Sequence, residues 1–168
     1  MPMRAINSED LGPTLGMYSH AMVAPGGDIV VVAGQVGIDP AGRLGADIGA
    51  QTKLAYANIE RVLRAAGCGM ANVIRFQTFL VRAGDIDGFM RARREVFPVY
   101  YPEEIYPPNT ILVVSRLVQP ELLVEIEAMA VRPARPPRPS AERRSAARGR
   151  AKSGSNGSSG RSARARRR

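Results

Sequence analysis

Leu122-Leu123-Val124-Glu125-Ile126-Glu127-Ala128-Met129-Ala130-Val131 alternates without a break. Successive side chains of an extended chain point to opposite sides, so Leu122, Val124, Ile126, Ala128 and Ala130 share one face and Leu123, Glu125, Glu127 and Met129 the other. The first face is core. The second carries two carboxylates two residues apart, yet Leu123 and Met129 make it too apolar to be left in water. A partner subunit is expected there. A strand with such a face needs a sheet beside it and helices over it.

Working back along the chain, both are found. Thr110–Leu117 reads as a companion strand. Asn72–Arg82 alternates, with Ile74, Phe76, Thr78 and Leu80 on one side and Arg75 and Gln77 on the other. Asp47–Ala66 is the strongest helix: Asp47 is a good N-cap, Ile48, Ala55, Ile59, Val62, Leu63 and Ala66 form a stripe, and Gly67 supplies the stop. A second helix after Asp87 carries Phe89, Ala92, Val96 and Phe97. Arg91, Arg93 and Arg94 take its polar positions, and Pro98 and Pro102 are expected to end it. Met17–Ala24 and Asp28–Gln35 flank Pro25-Gly26-Gly27 and read as a hairpin. The order β-β-α-β-α-β-β implies an α+β fold, a mixed sheet with both helices on one face.

The net charge of +9 is unevenly distributed. Residues 1–132 hold 12 Lys+Arg and 14 Asp+Glu, whereas 133–168 hold 12 Lys+Arg and the lone acid Glu142. The basicity therefore describes the last stretch rather than the domain. That stretch, rich in Pro, Arg, Ser and Gly, contains no Leu, Ile, Val, Phe, Tyr or Trp, so residues 133–168 are expected to be a disordered basic tail after a domain at 1–132. Such a tail could touch nucleic acid or acidic surfaces without reading sequence, and no aromatic is interleaved for base stacking. One cysteine, Cys68, permits no internal disulfide. No basic stretch with an apolar run opens the chain, and no segment reaches the ~18 apolar residues of a membrane span. A cytoplasmic protein without membrane contact is expected.

Nucleophile and metal chemistry find little support. Ser115 lacks a Gly-x-Ser-x-Gly setting, Cys68 follows a helix C-terminus where the dipole disfavours a thiolate, and His20 has no Cys/His cluster beside it. No metal and no cofactor are expected.

Three segments carry a family resemblance: Gly34-Gln35-Val36-Gly37-Ile38-Asp39-Pro40; the helix with Gln51, Asn58 and Ile59 ending in Ala65-Ala66-Gly67; and Tyr106-Pro107-Pro108-Asn109, Val114-Ser115-Arg116-Leu117 and Val124–Val131 in succession. In this order and spacing, residues 15–132 resemble the RidA/YjgF-like family. The resemblance implies a chorismate-mutase-like fold and a homotrimer with a cleft at each subunit interface. For the best-known branch it implies cofactor-free hydrolysis of reactive imines and enamines to keto acids and ammonia. Carried over residue by residue, Glu125 matches the acid that helps hold the attacking water, and Tyr18 the tyrosine of the loop that closes over the cleft. The Ile111 backbone would assist, Gly34 would let a ligand approach closely, and Arg93 falls near a cleft-facing helix position. Glu125, Tyr18, Gly34 and Arg93 each have a plainer alternative: a solvated or salt-bridged strand glutamate, a packed tyrosine, a turn glycine, a solvated arginine.

One position departs from the pattern. Where the deaminases run Pro-Ala-Arg-Ser, this chain has Pro107-Pro108-Asn109-Thr110. A guanidinium grips a carboxylate through a charged fork; a neutral amide offers weaker bonds. The expected function is water-mediated hydrolysis of a small imine, enamine or related metabolite. The alternative is a non-catalytic binder of a metabolite or a partner in the same cleft, and a weaker third is an RNA-associated protein, motivated by the tail and the family's older naming as an endoribonuclease.

Overall fold

The computed structural model describes residues 3–134. The stretch where the basic tail is expected lies, from 135 on, outside the described residues. Eight principal elements follow in order: β1 (Arg4–Ile6), β2 (Ala21–Val23), β3 (Gly27–Val36), α1 (Ile48–Ala65), β4 (Val73–Leu80), α2 (Ile86–Tyr100), β5 (Asn109–Val113) and β6 (Val124–Pro133). Four strands make a mixed sheet in the order β3-β6-β4-β5. β6 lies antiparallel to both β3 and β4, and β5 runs parallel to β4. The α+β class, the mixed sheet and the two covering helices are as the sequence implies.

The decisive strand behaves as its alternation dictates. Val124, Ile126, Ala128 and Ala130 are buried, Glu125 and Met129 are half-buried, and Glu127 is exposed. The buried face meets Ala55, Tyr56, Ile59 and Leu63 of α1, Phe89 and Phe97 of α2, and Phe76 of β4. Tyr56 is the hub, with its ring centroid 5.5 Å from Phe76 and 5.3 Å from Phe97 in edge-on contacts. Asp47 caps α1 by accepting from the Ala50 N–H at 2.8 Å.

Four expectations are corrected. Met17–Ala24 does not form a hairpin with the next strand. Only Ala21–Val23 is extended, and it pairs with β1 in a separate two-stranded sheet. His20 explains this: its N–H donates to Asn7 Oδ1 and its Nδ1 accepts from the Ser8 N–H, both at 3.0 Å, which ties the N-terminal segment alongside. β3 pairs instead with β6, whose ten residues offer a longer ladder. Helix α2 runs through Pro98 to Tyr100, and the Tyr101 N–H closes it on the Phe97 carbonyl. The strand expected over Thr110–Leu117 stops at Val113, where β4, the strand it pairs with, ends at Leu80. Arg93, read as a polar helix position with a solvated face as the plainer alternative, is 2% exposed.

Among the described residues, no helix covers the sheet's other face. Ile29 and Val31 are 65% and 71% exposed there. With Met129, Gln77, Arg75 and Glu127, Val31 borders a shallow groove of about 140 Å³.

Candidate functional site

Strand pairing sorts the candidate residues, because residues directly paired across a ladder send their side chains to the same side. Glu125 pairs with Phe79 and lies on the open face. The side chain lies over Gly34: a methyl group built on that glycine would sit 2.6 Å from Glu125 Cδ and 2.7 Å from Cγ. Gly34 lies in a register shift between Val32 and Gln35, where β3 carries an extra residue against β6. The irregular backbone and the missing Cβ together make room for the carboxylate.

Asn109 pairs with Phe76 on the helix-covered face. Its Oδ1 accepts from Thr78 Oγ1 at 3.1 Å, and its Nδ2 is buried without a partner among the described residues. Glu125 and Asn109 of one chain therefore lie on opposite sides of the sheet.

Ile111 packs its side chain on the core, but its backbone faces elsewhere. The Phe76 N–H donates to the Pro108 carbonyl and the Val114 N–H to the Leu80 carbonyl. In a parallel ladder this assigns the inter-strand bonds to the even-numbered residues of β5. The N–H groups of Asn109 and Ile111 then point away from β4, along the sheet's free edge.

Tyr18 lies in the loop before β2, half-buried, its phenolic oxygen accepting from the Leu15 N–H at 3.4 Å. Arg93 reaches this loop from α2, with Nη2 donating to the Met17 carbonyl at 2.6 Å. The guanidinium carbon is 4.2 Å from the Phe97 ring centroid. Burial pulls the Arg93 pKa below its ordinary value, and the nearby phenols of Tyr56, Tyr101 and Tyr106 oppose the shift. Asn109, Tyr18 and Arg93 thus belong to the helix side of the molecule and its edge, whereas Glu125 and Gly34 belong to the open face.

Two side chains have structural roles that the sequence does not show, Gln51 having entered only through the family resemblance. Gln51 is 1% exposed: Nε2 donates to the carbonyls of Gly45 and Glu121, and Oε1 accepts from the Leu123 N–H at 2.8 Å, fixing the entry into β6 just ahead of Glu125. Ser19 donates to the Tyr106 carbonyl at 2.6 Å. Gln51 could have been suspected as a polar residue within the apolar stripe of α1; Ser19 gives no such sign. Among the described residues, no group of three or more His, Cys, Asp and Glu is placed to hold a metal ion, and no helix is long and apolar enough to cross a membrane.

Known proteins place this architecture. A family model described as Endoribonuclease L-PSP matches residues 10–132. The RutC family protein PH0854 of Pyrococcus horikoshii is 35% identical over 127 residues, spanning 74% of this chain and 94% of its own. The 2-iminobutanoate/2-iminopropanoate deaminase of Salmonella typhimurium is 26% identical over 130 residues, 77% of this chain and 98% of its own. The crystal structure of YyfB of the conserved Rid protein family, from Yersinia pestis, aligns with a TM-score of 0.68 at 34% identity, covering 78% of this chain and 99% of that one. With the family model spanning nearly the whole described domain, and the YyfB fold matched almost end to end, the chain belongs to the RidA/YjgF-like family.

Proposed function

We propose that this protein hydrolyses a small imine or enamine with water, releasing ammonia, in clefts between the subunits of a homotrimer. The observation that carries the reading is Glu125: a half-buried carboxylate on the open face, laid against a glycine that leaves it room. Such a group orients a water beside an electrophilic carbon and takes its proton as the C–O bond forms. The carboxyl then returns that proton to the nitrogen of the carbinolamine, and as the C–N bond breaks the hydroxyl gives up its own proton, so that both protons of the water end on nitrogen and a carbonyl compound and ammonia are left. The outward N–H of Ile111 and the amide of Asn109 are donors for a substrate oxygen. Tyr18 would close over the cleft. Because Asn109 and Glu125 lie on opposite sides of the sheet, a cleft containing both is most simply built from Asn109 of one subunit and Glu125 of another. The exposed Ile29 and Val31 are the surface such an assembly would cover.

Asn109 bears on the substrate class. Its Oδ1 accepts from Thr78, which leaves Nδ2, buried and without a partner among the described residues, as the side chain's neutral donor. That suits an uncharged acceptor better than the carboxylate of an imino acid. The same feature favours the second reading, a non-catalytic binder. The test generates 2-iminopropanoate and uncharged imines in situ and follows their loss by semicarbazide trapping. Faster loss with wild type than with Glu125→Gln supports the hydrolase. Saturable binding of the keto products without Glu125-dependent turnover supports the binder.

A further inference from the structure

We infer that Arg93 is a positioning residue for Tyr18, acting with Ser19 to clamp the loop that carries it; this rests on the proposed reading of Tyr18 as a cleft residue. Arg93 is 2% exposed, and among the described residues no carboxylate pairs with it. A buried guanidinium without a counter-charge is costly to keep, so what it touches is informative. It touches the backbone one residue before Tyr18, donating to the Met17 carbonyl at 2.6 Å. Ser19, one residue after Tyr18, donates to the Tyr106 carbonyl at the same 2.6 Å. Tyr18 is therefore held from both sides, by bonds to two different elements.

The two anchors share one support. The Arg93 guanidinium lies over Phe97, and Phe97 stacks on Tyr106 with centroids 5.9 Å apart and planes 25° from parallel. Arg93, Phe97 and Tyr106 form a single stack behind the loop. Tyr106 opens the segment that runs to Asn109, so the stack also links the loop to the start of β5. The loop's other ties are the bonds of His20 to Asn7 and Ser8, contacts within residues 14–18 and the packing of Met17 on the core. The loop contains no strand between Ile6 and Ala21, and Leu15 is 95% exposed. A charged donor on the Met17 carbonyl is stronger than a neutral one, and the flat guanidinium can stack on Phe97 while donating at its rim; a lysine cannot do both. Enclosed at 2% exposure, with its face on a ring, Nη2 bonded to the loop and Nε buried without a partner among the described residues, Arg93 acts through the loop rather than on a ligand.

The test uses the full chain with Arg93→Gln, Arg93→Lys, Ser19→Ala, Tyr18→Ala and the Tyr18→Ala/Arg93→Gln double variant. Backbone hydrogen exchange over residues 14–19 is read alongside steady-state kinetics on the imine that wild type turns over best. Arg93→Gln should speed exchange in that segment and raise KM roughly tenfold, the scale of one charge-assisted hydrogen bond, with kcat changing far less. Arg93→Lys should recover part of the KM, Ser19→Ala should move both readouts the same way, and Arg93→Gln should add almost nothing in the Tyr18→Ala background. Additive effects of Tyr18→Ala and Arg93→Gln would overturn the inference, as would unchanged exchange in both Arg93→Gln and Ser19→Ala. If Arg93→Gln fails to fold, Arg93→Lys and Ser19→Ala decide by the same criteria. If wild type turns over no imine, the proposed function fails, and exchange alone upholds or overturns the clamp.

Discussion

Replacing Gly34 by alanine should separate chemistry from stability. The new methyl would sit 2.6 Å from Glu125 Cδ and 2.7 Å from Cγ, well inside van der Waals contact. One of the two must move. The β3 backbone is held by pairing with β6 on both sides of the register shift, whereas the carboxylate is the end of a flexible side chain. Glu125 should therefore swing off the glycine. Gly34 does not have the positive φ seen at Gly12, Gly42 and Gly67, so alanine fits its backbone without strain. Alanine also lowers the entropy of the unfolded chain, worth about 0.4–1 kcal/mol of stability, which partly offsets the new rotamer of Glu125. The expected net change in folding free energy is within about 1 kcal/mol. Turnover should behave differently: a general base moved off its water forfeits ~10²–10⁴ in rate. Urea unfolding and the imine-trapping assay, run on one preparation, give both numbers. Wild-type turnover by Gly34→Ala, in a background where Glu125→Gln is inactive, would refute the role assigned to this carboxylate position. A stability loss above about 3 kcal/mol would show that the backbone yields instead of the side chain.

Other expectations are checked more briefly. Tyr56→Phe should stabilise the domain by about 1 kcal/mol or more in urea unfolding, because the Tyr56 hydroxyl is buried without a partner among the described residues; burial pushes that phenol well above its ordinary pKa. Gln51→Leu should cost about 2–4 kcal/mol, since it leaves the Leu123 N–H and two carbonyls unpaired; a loss under 1 kcal/mol would mean that the loop repairs itself. Residues 1–134 alone should scatter light as a trimer at micromolar concentration, and a monomer mass would contradict the proposed interface. Nucleic-acid binding by the full chain should fall steeply with salt and vanish when 135–168 are removed; retention by residues 1–134 would revive the RNA-associated reading.

Legibility in the sequence followed the range of the interactions involved. The alternation at Val124–Val131 and the capped stripe after Asp47 are local patterns with a fixed period, and both elements stand where the pattern puts them. The pairing of β3 with β6 joins residues about a hundred positions apart, and no local pattern reports it; turn chemistry at Pro25-Gly26-Gly27 pointed to the neighbouring strand instead. Tyr56 and Val62 show the limit of the helical stripe: Tyr56 is at the centre of the core and Val62 is 38% exposed, because the second helix and the sheet together decide which side of α1 is covered. The burial of Arg93 is invisible to local pattern for the same reason. Charge suggested solvent, and the aromatic stack and the Met17 carbonyl that accommodate it belong to other elements.

The division of the candidate residues between two faces bears on why the fold would assemble. A monomer could satisfy its core with the helix-covered face alone, and that face is complete: Phe76, Phe89, Phe97, Ile59 and Ile126 are wholly buried. The open face carries the carboxylate that chemistry would need together with exposed Ile29 and Val31, and those apolar side chains gain nothing from facing water. In the proposed assembly a second copy covers them and its edge strand, with its outward N–H groups, faces the carboxylate. A charged substitution such as Val31→Glu should then lower oligomeric mass and Glu125-dependent turnover together, while leaving the urea midpoint of the residual monomer near that of a dissociated wild type, since Val31 contributes almost nothing to the core of its own chain. Light scattering and turnover measured across the same dilution series test this coupling. Full turnover from a demonstrably monomeric Val31→Glu protein would place the whole site within one chain and remove the reason for assigning it to an interface.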